Sequence, residues 1–176
     1  MKRILKKLLK SLIDKMLFLI PHPQQIAAKC SPAIKVSQRQ LYNFYQYAIA
    51  NGHLFDISDT GFRNYSQFEE DGILLYIFAA IKAPHRTFID IGAGDGINSN
   101  CANLAVNFGW DGLFIDGNPV NVKRGKKYYA THPDTWAYPP KFVQAFVQRE
   151  NINQLIESAG FAGRVDLLSI ARDDND

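Results

Sequence analysis

Two aspartates and a run of closely spaced glycines are the residues of this sequence best suited to hold a small molecule. Asp90 lies just before residues 92–96, which read Gly-Ala-Gly-Asp-Gly, and Asp116 lies twenty residues beyond Gly96. Glycines permit tight turns and let a ligand approach where a Cβ atom would clash. A carboxylate at that separation from the loop can accept hydrogen bonds from ribose hydroxyls. The spacing therefore predicts a nucleotide-binding site made by Asp90, Gly92, Ala93, Gly94, Gly96 and Asp116.

The charge and spacing of the loop favour one class of nucleotide. A dinucleotide fingerprint, G-x-G-x-x-G, has its third glycine at a position that Ile97 occupies here. Asp90 and Asp95 would repel an anionic pyrophosphate but attract a sulfonium and an ammonium group. We therefore expect S-adenosylmethionine as the cofactor, and the glycine spacing conflicts with an NAD-dependent oxidoreductase.

Alternating strand and helix patterns surround the loop. This order predicts parallel βαβ units, hence an α/β fold with a doubly wound, Rossmann-like sheet. Gly117, Asn118 and Pro119 are typical of a helix start, with Asn118 as the N-cap. The predicted elements are strand Arg86–Ile91, a helix near Asn98–Phe108, strand Gly112–Asp116, helix Pro119–Ala130, strand Lys141–Val147, helix Asn151–Ala159 and strand Val165–Ile170.

Two helices are predicted between residue 23 and the first strand. One spans Gln38–Ala50, with Leu41, Phe44, Tyr45 and Ala48 on one side. The second follows a capping box between Ser66 and Glu69 and ends before Pro84. Its predicted buried stripe consists of Ile73, Leu74, Ile77, Phe78 and Ile81.

The basic residues are concentrated at the N-terminus. Residues 1–29 contain seven Lys or Arg and one Asp, a net charge of +6, whereas the remainder has a net charge of −3. The overall +3 is too small to indicate nucleic acid as a partner. Two cysteines, Cys30 and Cys101, predict neither a disulfide framework nor a metal site, and a reducing cytoplasm is the expected location.

Residues 4–20 have the periodicity of an amphipathic helix whose polar face is lysine-rich. Charges interrupt every turn, so neither a transmembrane span nor a signal peptide is predicted. Such a helix can contact an anionic membrane surface, which here would be the inner membrane, or it can pack on protein; both alternatives remain open. The predicted organisation is a basic amphipathic helix in residues 1–22, a helical extension in 23–63 and the nucleotide-binding domain in 64–176.

Residues 64–170 resemble the FkbM-like class I methyltransferases. The resemblance rests on four segments, namely residues 65–72 (YSQFEEDG), 88–96 (FIDIGAGDG), 112–119 (GLFIDGNP) and 165–170 (VDLLSI). It implies O-methylation of a sugar hydroxyl in a polysaccharide, glycolipid or secondary metabolite, with a glycan or small molecule as acceptor. It also implies a strand order of 3-2-1-4-5-7-6.

The resemblance assigns roles within the site. Asp90 and the loop would hold the methionine end, and Asp116 the ribose. Gln144 and Ala145 would lie at the adenine edge. Gln67 and Glu70 would line the same cleft, although Glu70 could instead serve only the helix dipole. Gly117 and Asn118 complete the predicted cofactor contacts, and no catalytic residue is assigned.

The last residues depart from that family. An acidic turn, Asp-x-Asp-Gly, and three more strands would follow the fourth strand there, whereas here Ile170 is followed by Ala-Arg-Asp-Asp-Asn-Asp. The expectation is a domain that is incomplete at its C-terminus, with a bare edge on the fourth strand and a tendency to self-associate. The alternative to an active methyltransferase is therefore a non-catalytic chain that retains only the cofactor site.

Overall fold

The computed structural model describes residues 31–171 and shows an α/β fold built on four parallel strands. The basic segment 1–22 and the acidic residues 172–176 lie outside the described residues, as does Cys30. Within the described part of the chain, no helix is long and apolar enough to cross a membrane. The elements are α1 Pro32–Ala50, a short 3₁₀ helix Ile57–Asp59, α2 Glu70–Ile81, β1 Thr87–Ile91, α3 Ala102–Phe108, β2 Asp111–Asp116, α4 Pro119–Thr131, β3 Lys141–Gln144, α5 Ile152–Ser158 and β4 Leu167–Ile170.

The strand order is β3-β2-β1-β4, which confirms the predicted α/β class and the order of the first four strands. The chain runs outward from β1 through β2 to β3, and then returns to place β4 on the other side of β1. In open parallel sheets such a reversal leaves a crevice at the carboxyl ends of the two strands that flank it, and ligands bind in that crevice. Here the two strands are β1 and β4, paired from Phe88–Leu167 to Ile91–Ile170.

Side chains that alternate along the strands supply two cores. One face packs Phe88, Phe114 and Phe142 against residues of α2, α3 and α4. The other packs Ile89, Leu113 and their neighbours against α5 and Phe161. Because both faces of β1 and β2 are covered, these strands are apolar almost throughout, as expected for a parallel sheet.

The second helix differs from its prediction. There is no Ser66–Glu69 capping box: Ser66 Oγ instead accepts from the backbone N–H of Asp71, at 3.2 Å. The predicted buried stripe is also wrong at Ile81, which is 62% exposed. Helix α2 packs on the main core through Phe78, which is buried as predicted, and a second side of the helix packs on α1. Its other buried side chains are therefore Asp71, Leu75, Tyr76 and Ala79.

Other boundaries shift for local reasons. The helix predicted from Asn98 begins only at Ala102, because Asp95 Oδ1 accepts from Ile97 N and Ser99 Oγ accepts from Cys101 N, bonds that favour turns over helix. The helix predicted from Gln38 begins at Pro32, a favourable first helical position. Phe44, which lies on the apolar side predicted for that helix, is half-exposed. All four strands also shift: β1 begins at Thr87, β2 at Asp111 and β4 at Leu167, and β3 ends at Gln144 rather than Val147.

Among the described residues, β4 pairs only with β1. Along β4, partly buried and exposed residues alternate. The two exposed residues are apolar: Leu168 is 54% exposed and Ile170 is 67% exposed. An apolar strand edge of this kind is able to pair with another strand. Self-association of the chain stays a prediction.

Candidate functional site

A cavity of about 300 Å³ opens at the carboxyl ends of β1 and β4, the crevice that the strand order creates. Asp90 comes from β1, Ser169 from β4, and Ala171 directly follows β4. Six of the predicted cofactor residues line this cavity: Gln67, Glu70, Asp90, Gly92, Ala93 and Gly94. Sequence patterns therefore identified the loop side of the cavity correctly.

The three loop glycines have positive φ angles but different surroundings. A Cβ atom on Gly92 would overlap the carbonyl oxygen of Ala171, because the end of β4 approaches the loop closely. A Cβ atom on Gly94 would meet open space. Gly96 lies behind the loop: its Cβ would contact Phe114 and Phe142, and it does not line the cavity. The structure thus gives Gly96 a packing role in place of the predicted cofactor contact.

Asp90 is a buried carboxylate at the wall of the cavity. Its Oδ2 accepts a hydrogen bond from the Ser99 hydroxyl. Its other oxygen, Oδ1, is buried and accepts no hydrogen bond of normal length and angle. Burial raises the pKa of Asp90 above its ordinary value, and the hydroxyls of Ser99 and Ser169 oppose that rise. A buried carboxylate with an unpaired oxygen can be stabilised by a cationic group placed in the cavity.

Asp95 does not contribute the free negative charge that the sequence suggested. Its Oδ2 lies 3.1 Å from Nε of Arg124 on α4, and its Oδ1 accepts from the backbone N–H of Ile97. The Arg124 charge therefore compensates Asp95. Among the described residues that line the cavity, the carboxylates of Asp90 and Glu70 therefore have no positive charge paired with them.

Asp116 ties the end of β2 to the glycine loop. Its Oδ2 accepts from Gly94 N at 2.9 Å, and its Oδ1 accepts from Asn118 N at 2.8 Å and Asn121 Nδ2 at 3.2 Å. A carboxylate offers about four acceptor sites, so one remains free. Asp116 does not line the cavity itself but stands next to it through Gly94.

The other residues predicted at the ribose and adenine end gather around Asp116. Asn118 is the N-cap of α4, as predicted, and its Oδ1 accepts from Val120 N at 2.9 Å, so that oxygen is engaged in capping. Gln144 pairs with Asp116 across the sheet, and Ala145 N donates to Asp116 O at 3.1 Å. The residues of this second group, all outside the cavity lining, are Asp116, Gly117, Asn118, Gln144 and Ala145.

An aromatic residue that the sequence analysis did not select lies beside this group. Phe146 is 78% exposed, and a Cβ atom on Gly117 would come within 2.5 Å of its ring. The ring therefore lies close to the glycine that directly follows Asp116. The position of Phe146 directly after Ala145 was the available signal, because an exposed aromatic next to a nucleotide site offers a stacking surface.

The segment before α2 forms the third wall of the cavity. Asp71 is buried and accepts three backbone N–H bonds, from Asn64, Tyr65 and Ser66, which fix the turn that leads to Gln67. Burial raises the pKa of Asp71, and these bonds oppose that rise. Glu70 Oε2 accepts from Phe68 N at 2.9 Å. Glu70 thus belongs to both of its predicted settings, the first turn of a helix and the cleft.

Sequence analysis also missed several polar residues of the cavity. Ser169 was overlooked because only the register of β4 places it opposite Asp90. The remaining residues lie in the turns that replace the expected start of α3. These additional lining residues are Asn98, Ser99 and Asn100.

Comparisons with known proteins identify no relative of this chain. No protein-family model, no curated protein and no solved structure matches it.

Proposed function

We propose that this chain binds S-adenosylmethionine at the cavity between β1 and β4 and serves O-methylation of a sugar hydroxyl. The observation that carries the proposal is the charge of the cavity. Among the residues that the structure describes, its lining contains the carboxylates of Asp90, Glu70 and Asp95 and no basic side chain. Arg124 compensates only Asp95. A site of this charge favours a cationic ligand and disfavours the pyrophosphate of a dinucleotide.

The order of the strands supports an extended orientation for the cofactor. Asp116 and Gln144 end β2 and β3, and Asp90 is the last residue but one of the adjacent strand β1. Neighbouring strands lie about 4.8 Å apart, so these residues span about 10 Å across the sheet. The ammonium and sulfonium groups would lie near Asp90, the ribose near Asp116, and the adenine against the exposed ring of Phe146.

The ribose contact requires a small rearrangement of Asp116. One acceptor site of this carboxylate is free, whereas a ribose diol presents two donors. The bond from Asn121, at 3.2 Å, is the longest of the three and joins two side chains. A ribose hydroxyl would replace Asn121 and leave the bond from Gly94 intact.

The protein contributes mainly orientation. When bound, S-adenosylmethionine would supply an electrophilic methyl group. A C–O bond to an aligned acceptor hydroxyl would form as the methyl–sulfur bond breaks, which leaves S-adenosylhomocysteine and a proton that passes to solvent. Asp90 and the loop would hold the methyl donor in position. Holding the reactants in the correct geometry supplies a large part of the rate enhancement in a reaction of this kind. Gln67, which is exposed, and Glu70, which is half-buried, also line the cavity, and an acceptor would approach from their side.

The basic residues 1–20, which lie outside the described residues, favour a location at a membrane surface. Their lysine-rich face would bind anionic headgroups and bring the domain close to lipid-linked glycans. Membrane contact thus forms part of the proposal, and packing of these residues on protein is its alternative.

A transfer assay tests the reaction. The purified chain would be incubated with S-adenosylmethionine labelled on its methyl group and a panel of neutral oligosaccharides and glycolipids. Label on a hydroxyl oxygen supports the full proposal. Binding of the donor without transfer to any acceptor limits the function to a cofactor site.

A further inference from the structure

A second and larger cavity, of about 700 Å³, lies at the opposite end of the sheet. We name it the aromatic groove; it is lined by Asp111 and Lys141, the first residues of β2 and β3, and by residues of the loop 133–139. Strand β2 has six residues, and at about 3.3 Å per residue its two ends are about 17 Å apart. A ligand in the aromatic groove would therefore not touch the glycine loop.

The loop between α4 and β3 is held firmly by its own hydrogen bonds. Thr135 is buried, and its Oγ1 donates to Tyr129 O at 2.7 Å. His132 is buried too: its Nδ1 accepts from Asp134 N, and its carbonyl oxygen accepts from Trp136 N at 3.0 Å. Burial lowers the pKa of His132, in keeping with a neutral ring that can accept at Nδ1. The loop is thus a preorganised platform.

This platform presents two aromatic rings to solvent. Trp136 is 67% exposed and Tyr138 is 92% exposed, whereas Trp110, at the base of the groove, is buried against Phe78. Aromatic side chains bury about 150–250 Å² each when they are covered. Two such rings exposed on a hydrogen-bonded loop beside a cavity indicate a surface for a ligand with an apolar face.

The charged residues of the groove indicate which class of ligand it could bind. Asp134 is paired with Lys35 of α1, and Lys141 Nζ donates to Ala159 O at 2.7 Å. Lys141 is the one basic residue of the described lining, so the groove offers little attraction to phosphate or to nucleic acid. Asp111 is exposed and uses Oδ1 to accept from Gly112 N. Its Oδ2 remains to accept hydrogen bonds from a ligand.

We propose that the aromatic groove is a binding site for a neutral saccharide. A pyranose ring has an apolar face of C–H bonds, whose partial positive charge suits the negative face of an aromatic ring, and a rim of hydroxyl donors. Trp136 and Tyr138 would stack on the C–H face, and Asp111 would accept from the hydroxyls. The volume lies within the range of about 300–1000 Å³ for small-molecule sites. This site does not depend on the proposed methyl transfer.

The test measures saccharide binding by the intact chain in the absence of S-adenosylmethionine. Saturation-transfer NMR and calorimetry would be run with neutral gluco-, galacto- and manno-configured disaccharides. A proline-rich peptide and tetramethylammonium serve as competing classes, because aromatic grooves also bind these ligands. The expected result is saturable binding of at least one disaccharide below roughly 10 mM, a weak affinity in keeping with one small site.

Variants identify the groove as the place of binding. Trp136→Ala should weaken the disaccharide at least tenfold, and Asp111→Asn should weaken it less. Tyr47→Ala is the matched control, because Tyr47 is an equally exposed aromatic, 71%, on α1. Circular dichroism should show all three variants folded. The proposal is overturned if no disaccharide binds, if Trp136→Ala leaves binding unchanged, or if only the peptide or the ammonium ion binds through Trp136.

Discussion

The backbone N–H of Gly94 donates a hydrogen bond of 2.9 Å to Oδ2 of Asp116, and this bond joins the loop after β1 to the end of β2. The two residues are brought together because the parallel register aligns Ile91, the end of β1, with Ile115, the residue before Asp116. The loop and the carboxylate of Asp116 are therefore one structural unit. A change at either residue should affect the other.

Asp116→Asn should weaken binding of S-adenosylhomocysteine by about 10- to 100-fold, which corresponds to roughly 1.5–3 kcal/mol for hydrogen bonds to a charged group. The variant keeps only one acceptor oxygen, which cannot serve the ribose, Gly94, Asn118 and Asn121 together. Titration calorimetry measures the effect, with Asp59→Asn as a control at an exposed aspartate outside the site. An unchanged dissociation constant in a folded Asp116→Asn protein would remove Asp116 from the site.

The loop and its aspartates could be predicted from sequence because their signals are local. Positive φ angles at Gly92, Gly94 and Gly96 follow from a tight turn directly after a strand. Asp116 was identifiable because it ends the next strand of a βαβ unit. The α/β class followed from the alternation of strands and helices, whereas the order of the first four strands was implied only by the resemblance to class I methyltransferases.

The remaining features depend on residues that are distant in sequence. Arg124 compensates Asp95 only because the first turns of α4 pack against the loop, and no local pattern shows that contact. Ser169 lies beside Asp90 through the register of β4. The late start of α3 at Ala102 depends on side-chain bonds by Asp95 and Ser99 that compete with the helix. Contacts of this kind between residues distant in sequence cannot be predicted from hydrophobic periodicity or from the spacing of motifs.

Substitutions of the loop glycines should distinguish effects on the stability of the fold from effects on cofactor binding. Gly92→Ala should destabilise the chain by about 2–4 kcal/mol, because it combines an unfavourable positive φ with a steric overlap on the backbone of Ala171. Gly94→Ala should cost about 1–2 kcal/mol, since only the φ angle is unfavourable there. Urea unfolding measures both values, and equal losses would contradict the packing described for Gly92.

Gly94→Ala should nevertheless reduce cofactor affinity strongly, because its methyl group would occupy open space beside the cavity that Gly94 lines. Calorimetry on the folded variant tests this expectation. The matched control is Gly52→Ala, where φ is also positive and nothing lies within 4 Å, but which is far from the loop in sequence and absent from the cavity lining. A Gly94→Ala protein with wild-type affinity would place the ligand elsewhere.

Asp90→Asn should be at least as stable as the wild type at pH 7, with a gain on the order of 1 kcal/mol, because it removes a buried charge that has no cationic partner. Its amide oxygen can still accept from the Ser99 hydroxyl. The same change should weaken binding of a cationic ligand. Thermal unfolding with and without S-adenosylmethionine measures the two effects, and a variant that is less stable without ligand would contradict the account of Asp90.

The pH dependence of this difference follows from the raised pKa of Asp90. Between the ordinary value of 3.8 and the raised value, the folded chain holds a proton that the unfolded chain has released. The wild type should therefore gain stability relative to Asp90→Asn as the pH falls through the raised pKa, with the full gain reached below the ordinary value. Cofactor affinity of the wild type should fall over the same interval.

Deletion of residues 1–20 should abolish binding to anionic vesicles and leave cofactor affinity intact. Binding of the full chain should weaken in high salt, because screening over about 10 Å at 0.1 M ionic strength reduces the attraction of the lysines. Co-sedimentation with vesicles that contain phosphatidylserine, beside neutral vesicles as control, measures the effect. Equal sedimentation of the full and the shortened chain would show that these residues pack on protein.

The central claim is that a cavity lined by carboxylates selects a cationic nucleoside. Its most direct test is calorimetric titration of the purified chain with S-adenosylmethionine, S-adenosylhomocysteine and NAD under one set of conditions. We expect both S-adenosyl compounds to bind more tightly than NAD, and Asp90→Asn to weaken binding of S-adenosylmethionine more than binding of NAD. Tighter binding of NAD would show that the charge of the cavity does not select its ligand.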